Sequence, residues 1–310
     1  MKKSLLLLLL VFPIVWQSSQ AQQMPQYSQY MFNDFCINPA VAGTKPYQPI
    51  MAMIRNQWVG LDDAPITQTI SYHGSWIKKT GMGGMVVNDV TGPARQTSIQ
   101  LAYAHHILLK GETYLSLGLS GTLAQYVLDK DAIELDDPND NAILGGKEEA
   151  IVPDAAFGVY IYGERFYFGW SMPQLFENKI KFNSSGTLQE NKLVRHYFAN
   201  AGYRINAGNN IVVEPSFLFK TIENAPLQLD INTKFIIQEM AWLGCSYRNM
   251  ESIVAMAGIQ FKDVGLGYSF DFTLTNIKNH SSGSHEFFLS YLLPYKDIQP
   301  KKEIRKSLID

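Results

Sequence analysis

Leu227-Gln-Leu-Asp-Ile-Asn-Thr-Lys-Phe-Ile-Ile237 decides the fold. Leu227, Leu229, Ile231, Phe235 and Ile237 fall on one face, and Gln228, Asp230, Asn232 and Lys234 on the other. Period-two alternation over this length predicts a strand lying between an apolar and a polar environment. Val264, Leu266, Tyr268, Phe270 and Phe272 repeat the pattern opposite Gly265, Gly267, Ser269 and Asp271. So do Leu115, Leu117 and Leu119 against Ser116, Gly118 and Ser120, and Ile211, Val213, Phe217 and Phe219 against Glu214, Ser216 and Lys220. Tyr197, Ala199, Ala201, Tyr203 and Ile205 oppose His196, Asn200 and Arg204 in the same way.

Many of these runs are longer than the ~5–6 residues usual in globular sheets and match the ~9–11 that a tilted strand needs to cross a bilayer. Fourteen candidates follow, over 50–58, 66–74, 81–88, 97–106, 113–124, 153–162, 165–171, 194–206, 211–220, 227–237, 241–248, 252–260, 263–271 and 285–293. The chain is 46% apolar and 12% aromatic but only 17% charged over 310 residues, against the roughly 25% charged of an ordinary soluble domain. Its net charge of −2 gives no electrostatic footprint for nucleic acid. Two cysteines, Cys36 and Cys245, support neither a disulfide framework nor a thiolate zinc site.

Lys2 and Lys3 precede the leucine run Leu5–Leu10, and Ser19-Gln-Ala21 follows, so residues 1–21 read as a secretory signal peptide. Its loss removes both lysines and leaves 24 basic and 28 acidic side chains, a net −4. No later stretch reaches the ~18–20 apolar residues of a membrane helix. An exported chain of this kind is either a soluble β-protein or an outer-membrane barrel, and the connections separate the two. With the N-terminus periplasmic, the longer connections (59–65, 89–96, 125–152, 172–193, 272–284) all follow odd-numbered strands, while those after even strands are short. Such sorting is the rule for outer-membrane barrels, which also have an even strand count. The polar face, rich in Ser, Thr, Gly, Gln and Asn, suits a lumen, and Trp58, Tyr72, Tyr103, Tyr162, Trp170, Tyr247 and Tyr291 suit interfacial girdles. The expected fold is therefore an all-β transmembrane antiparallel barrel of about fourteen strands over 50–293, located in the cell outer membrane. Residues 22–49 precede it as a periplasmic or plug segment, and 294–310 follow as a periplasmic tail.

Residues that could carry chemistry are few. His105 and His106 are adjacent on a strand and so point to opposite faces, which cannot chelate one metal. Ser71 and His73 share a face without an orienting acid and read as lumen lining. Gly81-Met-Gly-Gly84 lacks the GK[ST] ending of a phosphate loop, and its glycines read as bending a strand. The 125–152 loop gathers Asp129, Asp131, Glu134, Asp136, Asp137, Asp140, Glu148 and Glu149, a calcium candidate or a solvated loop. Lys301, Lys302, Arg305 and Lys306 make the tail basic, either to dock an acidic partner or as a disordered end. Cys245 lies on the apolar face between Leu243 and Tyr247. The chain is expected to hold no catalytic, cofactor-binding or metal residues and no cofactor.

Several stretches together resemble a known family. They are Gln26-Tyr-Ser-Gln-Tyr-Met-Phe-Asn33, Asn38-Pro-Ala40 with Ala42-Gly43, Arg55-Asn-Gln-Trp58 with Gly60, and Ala64-Pro65 before Ile66-Thr-Gln-Thr69. Gly81-Met-Gly-Gly84, Asn88-Asp89, Gly92-Pro93 and the last strand, His285-Glu-Phe-Phe-Leu-Ser-Tyr291, complete the set. In order and spacing the chain resembles the PorP/SprF family of the type IX secretion system of Bacteroidetes. The resemblance implies an outer-membrane barrel that is not an enzyme and assists export or surface attachment of cargo with C-terminal sorting domains, including adhesins for gliding motility. Its implied partners are periplasmic and outer-membrane subunits of that system, its cargo, and outer-membrane lipid. The alternative is a passive or fatty-acid-porin-like channel for small molecules. Residues 22–49, with Met24, Tyr27, Tyr30, Met31, Phe32 and Phe35, are too apolar for a free tail. They are expected to plug the periplasmic mouth or to form a strap outside it.

Overall fold

A computed structural model describes residues 24–133, 146–182, 191–208, 210–223 and 225–295. Fourteen strands close into one antiparallel barrel. They are β1 (Gln48–Asn56), β2 (Ile66–Ile77), β3 (Thr80–Thr91), β4 (Ala94–Lys110), β5 (Thr113–Asp129), β6 (Lys147–Tyr162) and β7 (Phe166–Met172). There follow β8 (His196–Tyr203, continued by Ile205–Asn206), β9 (Ile211–Ile222), β10 (Gln228–Ile237), β11 (Ala241–Arg248), β12 (Ser252–Phe261), β13 (Val264–Thr273) and β14 (Ser284–Leu293). Each pairs with its sequence neighbours, β1 also pairs with β14, and β8 joins β7 to β9, so no edge strand is left. Closure satisfies the backbone groups of the wall inside lipid. Every expected strand corresponds to one observed strand.

The alternation holds in register. Ile231, Phe235 and Ile237 of β10 are exposed toward lipid while Asp230, Asn232 and Lys234 are buried inside. Leu266 and Phe272 of β13 face out against buried Ser269 and Asp271. Cys245 is exposed on the same outer surface. Tyr162 departs from the expected girdle. It points inward, stacks on Tyr114 at 5.4 Å and hydrogen-bonds His106.

One end of the barrel carries every long connection among the described residues, including 57–65, 173–195 and 274–283, and is the extracellular end by the rule for such barrels. The turns at the other end, among them 78–79, 111–112 and 238–240, are short. The connection expected over 89–96 contracts to Gly92-Pro93, because β3 and β4 continue upward and pair from Asp89↔Gln96 to Thr91↔Ala94. β4 and β5 run 17 residues each against 8 in β11. At ~3.3 Å per residue they are about 30 Å longer along the strand, an excess shared between a tall wall at the extracellular end and the periplasmic end, where β4 runs on past the start of β3 at Thr80. A satellite core of Ala150, Val152, Ile180 and Leu193 packs the 173–195 connection against the inside of β6.

The interior is less polar than the sequence led one to expect. Met51, Met53, Met85, Ile236, Trp242, Val254, Met256, Phe288 and Leu292 also face inward and are buried. They have something apolar to pack against, namely the chain before β1.

Candidate functional site

Residues 27–42 are buried without interruption. They run from the extracellular half of the lumen, where Gln26 donates to Glu251 in the β11–β12 turn, to the periplasmic end, where the chain enters β1. Two short 3-10 turns, Asp34–Cys36 and Pro39–Val41, make the path compact but aperiodic. The Phe32 ring centroid lies 4.1 Å from that of Trp242 and 5.4 Å from that of Phe288, and Lys234 Nζ sits 4.6 Å over it. Burial pushes the Cys36 thiol well above its ordinary range.

Three attachments hold this segment. At the extracellular level, Glu286 of β14 accepts the backbone N–H groups of Ser28 (2.7 Å) and Gln29 (2.8 Å). Arg55 of β1 donates to Ser28 Oγ (2.8 Å) and pairs with Asp271 (2.7 Å) and Glu286 (3.4 Å). Ser28 Oγ in turn donates to Asp271, and Arg248 ties Asp271 to Asp230. Carboxylate and guanidinium are both nearly inaccessible, so each needs the other. At mid-depth, Tyr27 meets Thr69 (2.8 Å), Asn33 donates to Ser71 (2.8 Å), and Asn232 donates to the Tyr30 hydroxyl.

The third attachment is Asn38. Its Oδ1 accepts Ala40 N–H (2.9 Å), capping the Pro39–Val41 turn, while Nδ2 donates to the carbonyls of Val159 (3.1 Å) and Trp170 (3.3 Å). Glycines on the facing wall make room. A Cβ at Gly81 would overlap the Ala42 carbonyl, one at Gly118 the Ala40 backbone, and one at Gly158 the Asn38 amide. Gly43, at φ +73°, turns the chain beside Gly81. Gly81, against the Ala42 carbonyl, and Gly83, against the Phe35 ring, thus serve close approach.

The sequence candidates divide accordingly. Ser71 and His73 are both buried, but each is engaged by the segment: Ser71 accepts from Asn33, and His73 Nδ1 accepts Gly43 N–H at 3.2 Å. His106 is buried inward and His105 is exposed outward, as adjacent strand residues must be. Among the described residues no group of three potential metal ligands occurs. Of the acidic loop, Asp129 pairs with Lys147, Glu148 with Lys130, and Glu149 accepts from Gln125. Asp131 accepts Gly146 N–H. Glu134, Asp136, Asp137 and Asp140, the signal peptide and the basic tail lie outside the described residues. Sequence reasoning missed the Glu286–Arg55–Asp271 clamp, although an Arg, a Glu and an Asp on otherwise small or apolar inward faces were its visible signal.

A Pseudomonas aeruginosa FadL homologue shares 11% identity, with 88% of this chain and 95% of that chain covered and a TM-score of 0.52. The CymD monoaromatic hydrocarbon channel gives 10% identity, coverage of 88% and 94%, and a TM-score of 0.48. The translocator domain of the autotransporter NalP from Neisseria meningitidis gives 10%, 86% and 98%, and 0.43. The likeness to the FadL homologue concerns the fold alone, an outer-membrane barrel. No curated protein matches. The model of the type IX secretion system membrane protein family PorP/SprF matches residues 19–291, and this outer-membrane barrel belongs to that family.

Proposed function

We propose that the protein is a closed outer-membrane platform of the type IX secretion system. It assists export or surface attachment of cargo with C-terminal sorting domains by binding periplasmic machinery or cargo at its two ends, without catalysis and without conducting through its lumen. The observation that carries this reading is the unbroken burial of residues 27–42, clamped by Glu286 and Arg55 and seated on the glycines of β3, β5 and β6. On this reading residues 22–49 are a permanent plug, and binding falls to the tall extracellular wall and the periplasmic turns.

Affinity purification of the tagged protein from detergent-solubilised outer membrane tests the proposal. Recovery of type IX subunits, or of cargo bearing C-terminal sorting domains, is the expected result. Recovery of lipopolysaccharide alone, together with small-molecule uptake into liposomes, would replace it with a channel.

A further inference from the structure

The lipid-facing wall carries an open groove of about 1100 Å³ that runs from β10 to β3. An enclosed apolar cavity of ~150 Å³ already takes up benzene, so this groove has room for more than one hydrocarbon chain. Its course follows one row of cross-strand pairs, from Leu243 of β11 through Ala257, Tyr268, Phe287 and Ile54 to Gln68 of β2. Leu243 is two residues from the periplasmic end of β11, and Gln68 two from the extracellular end of β2. The row therefore climbs through the membrane as it crosses the tilted strands.

Small residues shape the groove. Ala52 and Ala257 keep its floor low between larger neighbours such as Leu266 and Leu289. Gly258 and Gly267 pair across β12 and β13, and the rings of Trp242 and Phe288 lie where their side chains would point. Those rings also pack on Phe32, so the recess lies on the outside of the wall that grips the plug.

The polarity of the groove is one-sided. Its periplasmic end is lined by Ile237, Ala241, Leu243 and Ile259. The Tyr268 hydroxyl, midway, is hydrogen-bonded to His285 at 2.8 Å. The extracellular end carries two carboxamides, Gln68 and Asn88, joined by a long 3.4 Å hydrogen bond from Asn88 Nδ2 to Gln68 Oε1. Gln68 Nε2 donates to no group among the described residues. An amide N–H beside hydrocarbon is costly until it meets an acceptor.

We infer that this groove is a binding site for lipid A, the membrane anchor of the lipopolysaccharide of the outer leaflet. Its acyl chains lie in the groove, and an ester or amide carbonyl accepts from Gln68 Nε2. An amphiphile has an apolar body and one polar end, as the groove does. A membrane-spanning segment of another protein carries polar groups beyond both ends, and the groove lining offers none at its periplasmic end. The outer leaflet supplies the lipid because the carboxamides lie toward the extracellular side. The site requires only the barrel and its membrane, whatever the protein docks at its two ends.

The test uses full-length protein purified from outer membrane in mild detergent and washed extensively. Native mass spectrometry and hydroxy fatty acid content identify the lipid that stays bound, and lipid A is expected in stoichiometric amount. Ala52→Phe combined with Ala257→Phe fills the groove from its floor and should lower retention by about tenfold or more. Gln68→Leu removes the donor and should lower it by about three- to tenfold. Gly121→Phe, on the outer face of β5 where an added side chain meets nothing within 4 Å, should retain lipid A as the native protein does. Heat-dependent electrophoretic mobility verifies that each variant remains a folded barrel. Retention unchanged in either groove variant, equal loss in Gly121→Phe, or phospholipid in place of lipid A overturns the site. So does a detergent-stable dimer broken by the groove-filling pair, since a second copy would then be the occupant. Lipid retention is read on the washed protein alone, so it and the recovery of secretion subunits can fail independently.

Discussion

Arg55 shows how much one residue carries. It sits in a motif, Arg55-Asn-Gln-Trp58, that reads as an ordinary strand end, yet its guanidinium joins Asp271 and Glu286 to Ser28 of the N-terminal segment. Arg55→Met leaves two buried carboxylates without their shared partner, and breaking such a pair costs about 3–5 kcal/mol. The expected result is a clear fall in the urea midpoint of unfolding. Arg55→Met combined with Glu286→Gln, which removes the unpaired charge and keeps one of the two acceptor oxygens used by Ser28 and Gln29, should be milder than Arg55→Met alone. The two cysteines report on the interior and the wall. Cys36 is buried, and burial raises its pKa, so less of it is the reactive thiolate at mild alkaline pH. In the folded protein it should resist maleimides until denaturation. Cys245 should react with a membrane-soluble maleimide and not with a charged one, being exposed on the lipid face. The position of Cys245 was legible from its neighbours Leu243 and Tyr247. The partner of Arg55 was not, because contacts between residues 28, 55, 271 and 286 have no local signal in sequence.

At the scale of elements, strands and plug differ in what they reveal. Alternation made all fourteen strands visible, since lipid on one side and protein interior on the other impose period two on each. It failed at the upper ends of β4, β5 and β6. There the wall leaves the membrane, and Arg95, Gln125 and Glu149 replace lipid-facing apolar residues. The segment before β1 follows no period, because short 3-10 turns and individual docking contacts set its path. Only its unusual content of Tyr, Phe and Met marked it as buried. The glycines were visible but their purpose was not, because a missing side chain does not say what occupies its place. Gly118→Val should push out the Ala40 backbone while leaving the outer wall unchanged. The expected outcome is a folded barrel in which protease cleaves within residues 24–45, where the native protein is protected. Asn38→Ala removes a cap and two bonds to the wall, a loss of roughly 1–3 kcal/mol, and should make the same region partly protease-sensitive.

The whole molecule combines a closed wall, a lumen occupied by the molecule's own chain, and two unlike ends. The periplasmic end has short turns, and the extracellular end has a tall wall with its own small core. Under the proposed function, a filled lumen leaves docking at these ends rather than passage through the centre. Single-channel recording in planar bilayers puts that claim to the most direct test, comparing the intact protein with variants lacking residues 24–45 or carrying Gly118→Val. The intact barrel is expected to be silent and the variants to conduct. A steady open-pore conductance from the intact, folded protein would contradict it.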